Sequence, residues 1–510
     1  MMRGLKASAP YLVIAALTLA LMIPAMIAHP LVHDSFWIDF VWADQFTAEI
    51  RRGTLYPRWL PQSHDGLGSP VFYFYPPIGF YIAAIFGLAG SPTYTSILLA
   101  FATAMAASGA AMFHWLKGWT ERPLLGACFY MAAPYHLSDF YYRGALAEYC
   151  AFALIPLTTM GIRRCAEGRG MALLTLSYAA LIMTHLPVAL LTSLLLIAPY
   201  SLLLARKAGV RTTLPGIALA LALGIGIAAI YLVPALSLQD YIAANEIWAA
   251  PLFRTTVWNF FDPDRWTNRQ AMFNIMLLTY VLAIGAAALL AKRRDGWAAM
   301  ALFCCVLVTG AVPGFWSLPL LEKVQFPWRI LALAEFALAT ALARNSSATS
   351  YRVLASVPAL IVMAVMIARL DPPPGFAAEF AAKRHPDVIE YLPPGASDIR
   401  YSAKPFEATS LQRSQPPVRV DDNVTVVRTF YFPSWRAICQ DREVQTFADP
   451  ATRLLAYRGK DCAVSREATS AEKIGGGITL LSTMLLALFA IIRRRRSSPP
   501  ELYRKIFTQS

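Results

Sequence analysis

Charge is what this sequence has little of. Asp, Glu, Lys and Arg make up 15% of its 510 residues and hydrophobic residues 57%, whereas soluble domains carry about 25% charged residues. A chain of this composition is an integral membrane protein. It also lacks a Walker A loop, a GxGxxG after a strand, an HExxH and a CxxC pair. Those absences remove nucleotide hydrolysis and soluble-type metal hydrolysis from the leading readings. Cysteine is sparse, with seven in the chain. Cys128, Cys150, Cys165, Cys304 and Cys305 lie in or beside apolar segments and show no metal-ligand spacing. Cys439 and Cys462 lie in the one long polar region, and they are a candidate disulfide if that region faces an oxidising compartment. Internal repeats, heptads and low-complexity tracts are missing too.

The charge that is present is unevenly placed. The net charge is +14, and six short segments (1–10, 161–170, 206–211, 292–295, 344–352 and 493–510) hold 19 of the 45 Lys and Arg. Their only acids are Glu167, Asp295 and Glu501. Basic residues gathered in short loops between apolar runs are the positive-inside signature. The charge sets topology, so no nucleic-acid partner is expected.

Apolar runs cover 11–28, 71–89, 95–116, 123–137, 145–162, 171–185, 187–205, 213–235, 271–291, 296–312, 327–343, 353–370 and 474–492. Several reach the ~20 residues that span a bilayer. Strict alternation conflicts with the basic segment 161–170, which charge places inside, so DFYYRGALAE before it belongs outside. One segment between the first loop and that stretch should therefore be re-entrant or incomplete. The candidates are 71–89, with its paired prolines, and the short 123–137. Residues 371–473 are polar, with short β-branched and aromatic runs at 425–432 and 452–457, and read as a small β-rich domain. The following span ends in Arg493–Arg496, which places its C-terminal end inside and the β-rich domain outside. The expected organisation is a multi-span domain over 1–370 with external loops 29–70 and 235–270. The external domain 371–473 follows, then a last span and basic tail over 474–510.

Polar residues at the external ends of spans are the candidates for chemistry, because acids are expensive at membrane depth. The first loop holds His33, Asp34, Asp39, Asp44 and Glu49, then Arg51–Arg52 and the YPRW and FYFYPP runs. A carboxylate such as Asp34 can take a proton from an acceptor hydroxyl. PYHLSDFYYRGALAEY holds His136, Asp139, Arg143 and Glu148. On a helix Asp139 and Arg143 share a face as an ordinary i,i+4 pair, while the Arg fork also suits a phosphate. His185 sits at the His185-Leu186-Pro187 break. Arg329 heads an apolar helix, where it either snorkels or meets a lipid phosphate.

Taken in order, HDSFWIDF, GTLYPRW, GLGSPVFYFYPP, PYHLSDFYYRGALAE, THLP, YLVPAL, VQFPWR and FYFPSWRA resemble one bacterial membrane family. It is the GT-C-like group labelled pyruvoyl-tetrahydropterin-synthase-related, and the likeness runs from about 30 to 440. The resemblance implies an α-helical polytopic GT-C-like fold of about 11–13 membrane segments and an active site on the external face. It implies a membrane glycosyltransferase that moves a sugar from a polyprenyl-phosphate donor to an external glycan, lipid or protein. Asp34, Asp139 and Glu148 would then be catalytic, and His33, Asp39, Arg143, His185 and Arg329 would bind substrate. A divalent cation stays open as cofactor. Two departures stand out: the family's PGW is Pro433-Ser434-Trp435 here, and a position that is often His is Asp39. The expected location is a bacterial inner membrane, with both termini cytoplasmic. A transporter or flippase of lipid-linked glycans is the rival reading, though acids at external loops and the lack of two related halves favour the enzyme. A non-catalytic envelope scaffold is the third.

Overall fold

The computed structural model describes residues 2–28, 35–249, 295–344, 388–396, 419–421, 424–460 and 462–495, with isolated positions at 255, 278, 281–283, 285, 360, 361 and 364. His33 and Asp34 lie outside the described residues, as do most of the second external loop and the expected spans at 271–291 and 353–370.

Among the described residues the apolar runs fold mainly as helices. Among the described residues, five are long and apolar enough to cross a membrane: Ser8–Met26, Thr93–Leu116, Leu186–Ala208, Val210–Ile227 and Ser470–Ile492. Helix Leu146–Ala166 is also long, at 21 residues, but it carries Glu148 near its start and Arg163 and Arg164 in its last turn. It packs against Thr93–Leu116 and Met171–Thr184, and its first two turns, Leu146 to Phe152, are buried on every side.

Both segments suspected of being incomplete are broken. The 71–89 run forms a turn of helix over Val71–Phe74 and a second helix over Ile78–Leu88. Eleven residues at 1.5 Å each rise about 16 Å, roughly half a hydrocarbon core. The 123–137 run splits into Pro123–Met131 and Pro134–Ser138, and continues as a π-helical turn over Asp139–Arg143. Proline supplies the cause, because it lacks an N–H and forces the residue before it into extended backbone. Tyr75, before Pro76, has ψ 133° and Ala133, before Pro134, has ψ 147°.

The β-rich region holds two antiparallel sheets. β1 (Arg419–Asp421), β2 (Val424–Phe430), β6 (Leu454–Arg458) and β5 (Thr446–Ala448) form one, in the order β1-β2-β6-β5. β4 (Arg442–Val444), β3 (Trp435–Cys439) and β7 (Ala463–Arg466) form the other. Cys439, at the end of β3, is bonded to Cys462, just before β7. The region rests on the first loop: Phe430 N donates to Leu67 O at 2.7 Å, and Trp59 meets Trp435 edge-on at 5.6 Å.

Candidate active site

A turn that glycine makes possible sets the centre of the site. The π-turn Asp139–Arg143 ends at Gly144, which has φ +58°. A Cβ there would lie 2.4 Å from Phe36 Cβ, so a side chain is disfavoured by backbone and by space alike. The Arg143 carbonyl accepts from Ser35 N at 3.0 Å, which ties the first loop to this turn. Ser35 directly follows Asp34 in the chain.

Helix Leu146–Ala166 begins next, and the methyl of its N-cap residue Ala145 cannot accept a hydrogen bond. Asp39 does the capping from the first-loop helix Phe36–Arg51, where its Oδ2 accepts from Leu146 N at 2.9 Å. A carboxylate at a helix N-terminus satisfies an orphan donor and sits well with the helix dipole.

Glu148, at the third position of that helix, is the hub. Its Oε2 lies 2.6 Å from Arg143 Nη1 and 3.1 Å from Arg329 Nε. Its Oε1 accepts from the Tyr135 hydroxyl. Arg143 Nη1 also donates to Asp139 Oδ1 at 2.8 Å. His185 Nε2 stands 3.9 Å from Glu148 Oε2, while its Nδ1 accepts from Val188 N at 3.3 Å and caps helix Leu186–Thr192. With Nδ1 as acceptor, the ring proton of neutral His185 is on Nε2, facing Glu148. Asp139, Arg143 and Glu148 are at most 1% exposed. Isolated buried charges would be costly, and mutual pairing with hydrogen bonds offsets that cost.

Arg329 arrives from the PWRI turn after Phe326. Besides Glu148 it holds the Val324 carbonyl and, at 3.2 Å, Gln325 Oε1. Those bonds use Nε and Nη1, and no described residue accepts from its Nη2. Phe326 lies under both guanidiniums, 5.6 Å from Arg143 and 4.9 Å from Arg329. Outside the membrane helices, Arg58 covers the Tyr56 ring at 3.9 Å, and burial pushes the Tyr56 phenol above its ordinary range.

Asp39, Asp139, Arg143, Glu148, His185 and Arg329 are thus brought together from four separated stretches of sequence. Asp44 and Glu49 are not: Asp44 accepts from Thr93 Oγ1 at 2.6 Å and Glu49 pairs with Arg52. Glu335 escaped the sequence reading. Its Oε1 accepts from Tyr135 N at 2.5 Å and its Oε2 from His136 N at 3.1 Å, so it caps the short helix Pro134–Ser138. The signal was one acid inside the apolar run LALAEFALATALA. Among the described residues, no group of three or more His, Cys, Asp and Glu could hold a metal ion.

The 6-pyruvoyl-tetrahydropterin synthase related domain, described as a membrane protein, matches residues 72–371, more than half of the chain. The chain belongs to this family. Within the matched span lie Asp139, Arg143, Glu148, His185, Arg329 and Glu335. Asp39 and the first-loop acids precede it. No curated protein matches the chain. Among solved structures, a cryo-EM structure of the arabinofuranosyltransferase AftD from Mycobacteria matches with TM-score 0.43 and 17% identity, over 72% of this chain and 27% of that one. A mutant of the same enzyme matches with TM-score 0.42 and 18% identity, over 78% of this chain and 30% of that one. The chain spans less than a third of the length of these structures.

Proposed function

We propose that this family member is a membrane glycosyltransferase that moves a sugar from a polyprenyl phosphate to an acceptor hydroxyl outside the inner membrane. The observation that carries the reading is the network around Glu148. It gathers the six described candidates into one buried assembly, bonded to the residue after Asp34. A set of acids and arginines drawn from distant loops, with no stability argument requiring charge there, is what a reaction centre looks like.

In this reading Asp34 takes the proton of the acceptor hydroxyl. The oxygen attacks the anomeric carbon and inverts it, and the bond from that carbon to the phosphate oxygen breaks. The polyprenyl phosphate leaves with the electron pair, already a good leaving group, so no general acid is needed. Arg329 meets the developing phosphate charge through Nη2, fixed in place by Glu148. Arg143, turned inward onto Asp139 and Glu148, adds positive potential and holds the turn that carries the first loop. Asp39 and His185 position the two helices that flank it, and His33 orients the acceptor beside Asp34.

The reading is tested on membranes that carry the chain, supplied with polyprenyl-phosphate sugars, by following loss of the lipid-linked sugar. Arg329→Lys should lose most of the turnover while expression stays normal, because an ammonium keeps the charge but not the fork. Turnover equal to the parent would remove Arg329 from the phosphate. Orientation is tested with a cysteine at Leu55, which is 86% exposed in the first loop, in a background without native cysteines. Labelling by an impermeant thiol reagent from outside is expected. Labelling only after permeabilisation would put the site on the wrong face.

A further inference from the structure

Two helices measure the distance from the charged cluster to a second site. Arg163 follows Glu148 by fifteen residues on helix Leu146–Ala166, and Arg344 follows Arg329 by fifteen through helix Leu331–Arg344. At 1.5 Å per residue, both rulers end roughly 22 Å from the cluster. There a cavity of about 1040 Å³ opens, lined by Arg163, Lys207 and Arg344 among others.

The charges in this cavity are not balanced from within. Arg163 and Arg344 each place a guanidinium 5.0 Å from the centre of the same indole, Trp119. Glu167 is the one acid among the described lining residues. Its Oε2 is occupied by Arg169 at 2.6 and 2.9 Å, and its Oε1 lies 3.5 Å from Arg163 Nε. Like charges gathered by the fold on one ring are relieved by an anion between them, and the Arg fork suits a phosphate.

Deeper in, the walls turn apolar. Helix Ala198–Ala208 presents Pro199, Leu203 and Lys207 at helical spacing. Helix Gly296–Val308 starts at the basic end and carries Met300 and Phe303 further in. Leu203 is 50% exposed and Phe303 52%, an apolar surface that suits hydrocarbon. Charge at one end and exposed apolar wall at the other match an anionic amphiphile.

We propose that this cavity binds an anionic phospholipid of the leaflet on the basic side, with its phosphate among Arg163, Lys207 and Arg344 and its acyl chains along Leu203 and Phe303. The site is independent of the reading given to the Glu148 network.

The test uses the full chain in nanodiscs of phosphatidylcholine containing a minor share of phosphatidylglycerol. Native mass spectrometry then reads which lipid stays bound on release. Retention of phosphatidylglycerol over phosphatidylcholine is expected. Lys207→Gln with Arg344→Gln should lower that retention roughly tenfold or more, since each basic residue near the surface attracts anionic lipid. Lys207→Arg with Arg344→Lys should keep it. Equal retention of the two lipids, or an unchanged preference in the glutamine pair, overturns the proposal. Displacement of phosphatidylglycerol by excess inorganic phosphate identifies a free-phosphate site and overturns it as well. Should the glutamine pair not fold, the parent's lipid preference and the phosphate competition decide the question.

Discussion

Glu148 and Glu472 are both carboxylates gripped by an arginine, yet they are explained differently. Glu472 belongs to a capping box at the start of the last helix: its Oε2 accepts from Thr469 N at 2.8 Å, and Thr469 Oγ1 accepts from Glu472 N at 3.2 Å. Arg58 joins it from the first loop at 3.0 Å and Tyr73 from the helical turn Val71–Phe74 at 3.1 Å. A local rule accounts for most of that site. No local rule accounts for Glu148, whose partners include Arg143, Tyr135, His185 and Arg329. The capping box anchors a helix, whereas the Glu148 network joins stretches that have no folding reason to share charge. That difference separates a structural carboxylate from a candidate site.

The comparison can be broken most forcefully at Glu148. Glu148→Ala leaves two buried guanidiniums short of their shared partner, and removing one member of a buried pair costs about 3–5 kcal/mol. A fall of the thermal midpoint with loss of transfer is expected in detergent-solubilised protein. An unchanged midpoint would mean that the network does not hold the core together.

The β-rich region should be next. Replacing Cys439 and Cys462 together by Ser opens a bridge with a sequence separation of 23, worth about 3 kcal/mol in the chain-entropy account. Limited proteolysis should then cut within 424–466 first, before the membrane helices. Equal resistance with and without the bridge would contradict this.

Glu472→Gln sharpens the contrast, because glutamine can complete a capping box. The ion pair with Arg58 goes and the cap stays, so about 1 kcal/mol is lost and transfer continues. Loss of transfer at constant stability would draw Glu472 into the site. Asp39→Asn should do least, since an amide oxygen can still accept from Leu146 N and change stability by less than about 1 kcal/mol. A large loss of turnover at an unchanged melting temperature would show that the Asp39 charge acts on substrate.

Much of the fold could be read from the sequence because its signals are local. Among the described residues, apolar runs between basic loops became helices, and the paired prolines of 71–89 and the shortness of 123–137 marked where they break. TVVRTFYF and TRLLAY foreshadowed β2 and β6, and two cysteines in a polar region foreshadowed the bridge. Asp139, Arg143, Glu148, His185 and Arg329 could be singled out as polar residues at helix ends. That Arg143, His185 and Arg329 meet on the Glu148 carboxylate, with Asp139 on Arg143, could not be read, because partners up to 181 residues apart are set by helix packing. The capping role of Asp39 was hidden for the same reason, since its helix end lies 107 residues away. Glu335 was legible and overlooked: an acid within an apolar helix marks a buried obligation.

Asp34→Asn offers the most direct measurement. The proposed transfer implies that in a deletion strain a lipid-linked sugar accumulates and the acceptor lacks that sugar. Asparagine in place of Asp34 cannot take the acceptor proton, so a strain restored with this variant should keep the deletion profile while inserting normal amounts of protein. General-base catalysis contributes about 10²–10⁴-fold, which leaves little residual turnover. Restoration of the parent profile by Asp34→Asn, or a variant retaining more than about a tenth of the turnover, would contradict the account.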